Sequence, residues 1–371
     1  MRLHEIAGFR QLPRVTSDSK PFRQGGRLFV CESCGMAQKI ADAEWLGETA
    51  EIYRDYEMYH QSAANDQPVF DPVSGRPSGR CEVLARRLLE AGVLPASGAL
   101  LDVGAGSGAM LAAFSAACRG WTLFGLDLDD RKQQALAAIP RFERLFTVPI
   151  EQLPRQFDLV TLIHSLEHFP DPLTTLRALR GKIAPGGRLF VEVNNVERQP
   201  FDLVVADHLC HFTPRSLAFM AARAGYGAES ARTDWVNKEI SLLAAAEPGT
   251  SKSESSDARA AIGKVESEVA WLGGMLEHAR ALAEGARFGI FGTSVAATWL
   301  AAGLGDAVAF FVDEDPAREG RAHLGRPIFK PSQVPQGAIV YLAFAREIAD
   351  AIRGRLAGLP ATLAAPPAVV S

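Results

Sequence analysis

The stretch Ala99-Leu-Leu-Asp-Val-Gly-Ala-Gly-Ser-Gly-Ala-Met-Leu111 constrains this chain more than any other. It reads as a buried strand closed by Asp102, a turn on Gly104, Gly106 and Gly108, and a helix whose apolar face begins at Met110 and Leu111. Glycines at spacing two let the backbone turn tightly without Cβ clashes and let a ligand lie directly against it. Amides at the start of the following helix can then face an anionic or polar ligand. A tight turn without a ligand is the plainer alternative. The spacing is G-x-G-x-G, whereas the dinucleotide fingerprint prefers G-x-G-x-x-G, which argues against an NAD-dependent dehydrogenase.

The elements that follow favour a ligand. Trp121-Thr-Leu-Phe-Gly-Leu-Asp-Leu-Asp-Asp130 reads as a second strand ending in acids, and Asp127 lies about one βα unit beyond the glycine turn. An acid at such a strand tip can hydrogen-bond a ribose diol. A third apolar strand runs from Phe157 into a polar, proline-stopped loop that ends at Pro172. A helix from Leu173 to Ile183, the turn Ala184-Pro-Gly-Gly187 and the strand Arg188-Leu-Phe-Val-Glu-Val193 follow. Alternating strands and helices of this length predict an α/β fold with a parallel sheet and ligands at the C-terminal strand ends.

This ordered set resembles a class I S-adenosylmethionine-dependent methyltransferase. The resemblance covers roughly residues 80–245 and rests on the glycine turn, Asp127, the Leu166-Glu-His-Phe-Pro-Asp-Pro172 loop and the Ala184–Gly187 turn. It implies that Asp102, Gly104, Gly106 and Gly108 face the amino-acid part of S-adenosylmethionine. It also implies that Asp127, with Leu128 beside it, holds the ribose, and that His164 at the third strand's end lines the cofactor site. The adenine contact is expected from the loop Thr147–Pro154, where Pro149 stands in place of the acid many relatives carry.

Composition narrows the partners. Net charge is −4 across 371 residues with no dense Lys/Arg block, which disfavours a nucleic-acid partner. No apolar run approaches a membrane span, and the opening Met1-Arg-Leu-His-Glu-Ile has no apolar leader, so a cytoplasmic protein without a membrane partner is expected. Five scattered cysteines do not make a disulfide framework.

The chain divides by composition into an N-terminal knuckle domain (1–75), the methyltransferase core (76–246), a linker and helix (247–285) and a small Rossmann-like C-terminal domain (286–371). Cys31-Glu-Ser-Cys34 is half of a zinc site, since structural zinc takes four ligands; the alternative is a metal-free turn. Tyr53, Tyr56 and Tyr59 or His60 fall near one helical face, either as packing or as a lid over cofactor or substrate. In the C-terminal domain, Gly289-x-x-Gly292-Thr-Ser294 either meets a ligand or turns the chain.

Glu167 and His168 follow the strand expected beside the reacting methyl group, and His168 is either a structural histidine or a catalytic one. The preferred base lies in Val205-Ala-Asp-His-Leu-Cys-His-Phe-Thr-Pro-Arg-Ser-Leu217. There His208 can accept a proton near neutral pH, with Asp207 beside it to orient the ring and stabilise its charged form. His211 shares the segment and can pack against Phe212, and Thr213 before Pro214 reads as a helix N-cap.

The whole layout resembles the three-domain sugar C-methyltransferases, which methylate nucleotide-linked keto-sugars. In that family an acid-histidine pair opens the segment after the core, matched here by Asp207 and His208, and nearby tyrosines help hold the sugar. The resemblance implies a nucleotide-sugar acceptor, with Tyr56, Tyr59 and His211 as substrate contacts. It departs in two places. The family has four zinc cysteines where this chain offers one pair, and a Tyr-His-Glu-His-Leu stretch where this chain has Val205-Ala-Asp-His-Leu209. C- or O-methylation by in-line transfer is expected; a non-catalytic binding subunit or methylation of another small metabolite is the alternative.

Overall fold

The computed structural model describes residues 2–56, 66–71, 76–247 and 257–368. They gather into two compact units, one from the described residues of 1–63, 198–209 and 256–371, the other from those of 64–197 and 210–255.

In the first unit the chain begins with the short strands β1 (Leu3–Glu5), β2 (Arg14–Val15), β3 (Pro21–Phe22), β4 (Phe29–Cys31) and β5 (Ala37–Gln38). β4 lies antiparallel between β1 and β5, while β2 and β3 form a hairpin. The cysteine knuckle is the turn from β4 to β5: Gly35 sits at φ 72° and its N–H donates to the Cys31 carbonyl at 2.8 Å. That left-handed conformation costs glycine little and other residues more. Helix α1 (Ala43–Arg54) starts where the Asp42 carboxylate caps the Trp45 N–H at 3.0 Å. Its inner face carries Trp45, Glu48, Thr49 and Ile52, the i, i+3, i+4, i+7 pattern of a one-sided helix. Buried Glu48 is held by both Arg14 guanidinium nitrogens at 2.7 Å.

The second unit opens with the hairpin β6 (Pro68–Asp71) and β7 (Arg76–Gly79) and helix α2 (Arg80–Glu90). Then come β8 (Gly98–Val103), α3 (Ala109–Ala117), β9 (Trp121–Leu126), α4 (Gln133–Ala137), β10 (Phe142–Phe146), β11 (Phe157–Ile163), α5 (Pro172–Arg180) and β12 (Ile183–Asn194). The short strand β13 (Cys210–His211), helix α6 (Pro214–Ala224), β14 (Gly227–Arg232) and β15 (Glu239–Ala245) complete it. Its seven-stranded sheet runs β10-β9-β8-β11-β12-β15-β14. The first five strands are parallel, and β15 enters antiparallel between β12 and β14. Strand order reverses between β8 and β11, which places a binding crevice outside their C-terminal ends. Near-continuous apolar runs such as Leu100, Leu101 and Val103 are buried, as a sheet covered on both faces requires.

Strand β12 differs from expectation. Ala184–Gly187 lies inside one twelve-residue strand rather than ahead of it. A register shift between Phe157 and Leu159 on β11, with Gly186 at φ 77°, absorbs the proline-glycine step without ending the strand. At α6 the Thr213 hydroxyl accepts the Ser216 N–H at 3.1 Å and Pro214 occupies the first turn, as the sequence predicts.

The first unit resumes with the 26-residue helix α7 (Ala258–Ala283), whose buried Val265, Val269, Leu272, Met275 and Leu276 follow helical spacing. After it come β16 (Phe288–Phe291), α8 (Val295–Leu304), β17 (Val308–Val312), β18 (Ala322–His323), β19 (Arg326–Phe329), β20 (Ile339–Tyr341), α9 (Arg346–Arg355) and β21 (Thr362–Ala364). They form a six-stranded sheet in the order β18-β19-β17-β16-β20-β21, parallel except at β18. This is a second α/β layer around Phe291, Phe310, Val312, Val340 and Leu342. The Trp299 indole donates to the Pro13 carbonyl at 2.9 Å, which ties α8 to the start of the chain. Phe201, on the short turn Pro200–Val204, packs edge-on against Trp271 and Trp299, so residues 198–209 belong to this unit.

Candidate functional site

At the switch point of the seven-stranded sheet, β8 delivers Asp102 and then the glycine turn. Gly104 stands at φ 77°, and a Cβ there would fall 2.7 Å from the Ser165 side chain. Gly106 stands at φ 50°, and a Cβ there would meet nothing nearer than the Gly104 carbonyl at 4.0 Å. Gly104 is thus required by packing, whereas Gly106 leaves open space against bare backbone. The Gly108 position packs onto Leu136 and Ile139 of the α4 region. The Gly106 N–H donates to Asp127 Oδ2 and the Leu128 N–H to Oδ1, each at 2.7 Å, so Asp127 is aimed across the turn. Leu128 is 78% exposed and Val148 38%, two apolar side chains left in solvent at the ends of β9 and β10. Open backbone, a fixed carboxylate and exposed apolar side chains fit the amino-acid, ribose and adenine parts of S-adenosylmethionine.

Asp102 is buried and accepts the Thr161 hydroxyl at 2.6 Å. Burial pushes its carboxyl up, the Thr161 bond pulls it back, and the charge on Asp127 adds to the rise, leaving its pKa at about 7.

His164 occupies a different place from the one expected. It sits at φ 48°, and its N–H donates to the Glu192 carbonyl at 2.8 Å. Its Nε2 lies 3.1 Å from Glu239 and its Nδ1 3.4 Å from Glu167. Both ring nitrogens face protein carboxylates, which corrects the expectation that the ring serves the cofactor. Glu239 also pairs with Arg80 at 2.9 Å. Burial and the Arg80 charge pull the imidazole down, but Glu239 and Glu167 outweigh them and leave its pKa at about 9. Glu192 is fully buried beside Glu239. Burial and the Glu239 charge push Glu192 well up, while Arg80 and His164 overcome burial at Glu239 and draw it down to about 2. Arg80, Glu192 and Glu239 carry no sequence signal that separates them from ordinary surface charges. His168, half-buried, closes the short turn Leu166–His168 of the same unit.

In the first unit the segment 205–209 is pinned by its backbone. Lys39 Nζ donates to the Val205 and His208 carbonyls at 2.7 Å each, and the Lys39 N–H donates to Leu209 at 2.7 Å. The Trp45 indole donates to the Ala206 carbonyl at 3.1 Å, and the Ala206 N–H to Val15 at 2.7 Å. His208, 5% exposed, has Nδ1 at 2.8 Å from Asp202 Oδ1. The carboxylate on this ring is therefore Asp202, a correction to the expected pairing with Asp207. Asp207 is engaged by Ser17, whose N–H reaches Oδ1 at 2.9 Å and whose hydroxyl reaches Oδ2 at 2.5 Å. Adjacent residues on a turn reach different partners, and sequence adjacency concealed that.

Of the other expected contacts, Tyr56 joins this network, its hydroxyl 3.1 Å from Ser17 Oγ. Tyr59 lies outside the described residues. His211, in the second unit, is fully buried and presents no surface to a substrate, a correction to its expected role. Among the described residues, the clusters of three or more side chains close enough to hold a metal ion include neither Cys31 nor Cys34. In the C-terminal layer the Thr293 hydroxyl donates to Asp313 at 2.9 Å beside Gly292. No helix among the described residues is long and apolar enough to cross a membrane.

Residues 77–231 match a family described as "Methyltransferase domain". A ubiquinone biosynthesis O-methyltransferase from Pseudomonas syringae pv. tomato is 33% identical over 129 residues, 31% of this chain and 53% of that protein. The protein of the same name from Pseudomonas fluorescens matches to the same extent, 33% over 129 residues, with 31% and 53% covered. The chain thus spans about half the length of the curated relatives it matches. A solved mitomycin 7-O-methyltransferase superposes with a TM-score of 0.38 at 17% identity, covering 44% of this chain and 52% of that one.

Proposed function

Because residues 77–231 match a family described as a methyltransferase domain, we propose that this chain transfers a methyl group from S-adenosylmethionine to a small-molecule acceptor, with His208 as the base. The observation that carries this reading is the glycine turn closed onto Asp127 at the switch point of the sheet. Gly106 lets the cofactor's amino-acid end lie on bare backbone, Asp127 takes the ribose hydroxyls, and Leu128 and Val148 cover the adenine. S-adenosylmethionine supplies an electrophilic sulfonium methyl. His208 removes the acceptor's proton as the acceptor's electron pair bonds the methyl carbon and the sulfur–carbon pair stays on sulfur. Orientation and exclusion of water supply much of the rate.

The acceptor in this reading is a nucleotide-linked sugar. It is supported by the order of parts along the chain: knuckle, tyrosine-rich helix, methyltransferase domain, Asp-His-Leu segment and α/β end layer. A second reading, methylation of a hydroxyl-bearing ubiquinone precursor, is favoured by the names of the matching relatives.

Calorimetric titration of the purified chain with S-adenosylmethionine, S-adenosylhomocysteine and NAD tests the cofactor. Binding of both sulfur ligands without NAD is expected, and silence from both overturns the reading. Methyl transfer is then measured on a panel of nucleotide-linked keto-sugars and hydroxylated ubiquinone precursors. Transfer to the sugars selects the first acceptor and transfer to the precursors the second. Binding with no transfer to either class favours a binding subunit.

A further inference from the structure

Strand β11 stops pairing with β8 at Thr161, yet just past its own end the chain is back against β8. There the Ser165 hydroxyl donates to the Val103 carbonyl at 2.7 Å, and the Ser165 Cβ lies 2.7 Å from where a Cβ on Gly104 would stand. His164 makes that return, at φ 48°. We propose that His164, held through both ring nitrogens by Glu239 and Glu167, is the positioning residue that seats Ser165 against Gly104 and so shapes the glycine turn for S-adenosylmethionine. The inference rests on the cofactor reading above and adds the group that fixes the turn.

A residue with a Cβ rarely holds a left-handed φ, and it persists there where its surroundings fix it. Three contacts fix His164. Its N–H continues the ladder to β12 by donating to the Glu192 carbonyl at 2.8 Å. Its Nε2 lies 3.1 Å from Glu239 at the start of β15, and its Nδ1 3.4 Å from Glu167 on the turn Leu166–His168. The backbone bond is open to any residue with an N–H, whereas the two ring contacts need an imidazole. An imidazolium carries a proton on each nitrogen and can turn one toward each acid, which a neutral ring cannot do. The charged groups around the ring are Glu239 of β15, Glu167 of the turn, Arg80 of α2 and Glu192 of β12. With its pKa at about 9, the ring is an imidazolium at neutral pH. The clamp is therefore complete at neutral pH and is lost as pH rises through about 9.

His164 acts through its neighbour. Ser165 is buried, so it has little room to move except with the backbone that His164 kinks. Gly104, which it seats, stands at φ 77° and donates its N–H to the Leu126 carbonyl at 2.8 Å. Two residues on, the Gly106 N–H holds Asp127 at 2.7 Å. A shift of Ser165 thus displaces the start of a turn whose third residue aims the ribose acid.

The test begins on the ligand-free full chain. Val103-Gly104 is the one Val-Gly step in the sequence, so valine labelled at its carbonyl carbon with 15N-glycine selects the Gly104 amide. The His164 ring is read with 15N-histidine, assigned by the signals missing from His164→Asn. Both ring nitrogens should be protonated at pH 7 and titrate near pH 9, and the Gly104 amide should shift with the same midpoint. A neutral ring at pH 7, or a Gly104 signal that stays still while the ring titrates, overturns the proposal. His164→Gly keeps a positive φ without strain and lacks the ring. By calorimetry it should bind S-adenosylhomocysteine about tenfold more weakly than wild type at pH 7, with the gap narrowing as pH passes 9. The ligand's own amine also titrates near this range and cancels in the ratio. Binding within about twofold of wild type at pH 7 shows that the backbone kink suffices and overturns the proposal, as does a gap that is constant from pH 7 to pH 10. If His164→Gly does not fold, the two wild-type signals decide. S-adenosylhomocysteine silence from wild type sinks the methyltransferase reading instead, and the ligand-free Gly104 signal still decides whether His164 holds the turn.

Discussion

Asp127 and Asp102 show how differently two carboxylates near one turn are used. Asp127 accepts two backbone N–H groups at the edge of the site, so it is aimed before any ligand arrives. Asp127→Ala should weaken S-adenosylhomocysteine binding about 10- to 100-fold, the worth of one or two hydrogen bonds to a charged group, measured by calorimetry. Asp102 is buried with a pKa at about 7, against about 4 for an ordinary aspartate. The folded protein therefore holds its proton where the unfolded chain has lost it, so this group makes stability fall as pH rises from about 4 to about 7. Above that range its contribution is level. Asp102→Asn keeps an acceptor for the Thr161 hydroxyl and cannot ionise, so denaturant melts across this range should lose that slope. An unchanged slope would place the proton elsewhere.

Strands β12 and β15 bring Glu192 and Glu239 to neighbouring positions, Glu192 pairing in register with Ser241. Their carboxyls are pushed in opposite directions, Glu192 up and Glu239 down. Glu239 is the shared partner of Arg80 and His164, so Glu239→Gln removes the charge that both buried cations face and should cost about 3–5 kcal/mol in denaturant unfolding. Burial and the Glu239 charge push Glu192 toward its neutral form, so Glu192→Gln, a swap of the same size, should cost less than about 1.5 kcal/mol. Equal losses would mean that both acids are ionised. The strands themselves were legible, because buried parallel strands read as apolar runs and glycines mark their turns. The ion network was not, because Arg80, His164 and Glu239 are far apart in sequence and meet only when α2, β11 and β15 assemble. Asp202 was missed for a related reason. It lies on a short turn without periodicity, beside the more conspicuous Asp207–His208 pair.

Taken as a whole, the chain does not spend its segments in order. Residues 198–209 follow directly from β12 of one unit yet belong to the unit built from the two ends of the chain. Composition could not reveal this, since nothing in Pro200–Leu209 differs from an ordinary loop; only the partners of its backbone do. Asp102, Gly106 and Asp127 are all in one unit, and His208, Asp202 and Lys39 are all in the other. A substitution that loosens the second group should therefore leave cofactor affinity intact. Lys39 is the sharpest probe: it is 3% exposed and its ammonium binds two carbonyls of the segment. Lys39→Met keeps most of the volume and removes that ammonium. Leaving the carbonyls unpartnered should cost about 1–3 kcal/mol each. Lys39→Met is expected to bind S-adenosylhomocysteine within about twofold of wild type while methyl transfer to the acceptor falls at least about tenfold, since misplacing a base by about 1 Å costs that much or more. Parallel loss of cofactor affinity would show that the pinned segment supports the glycine turn too, and the separation of roles argued here would fail.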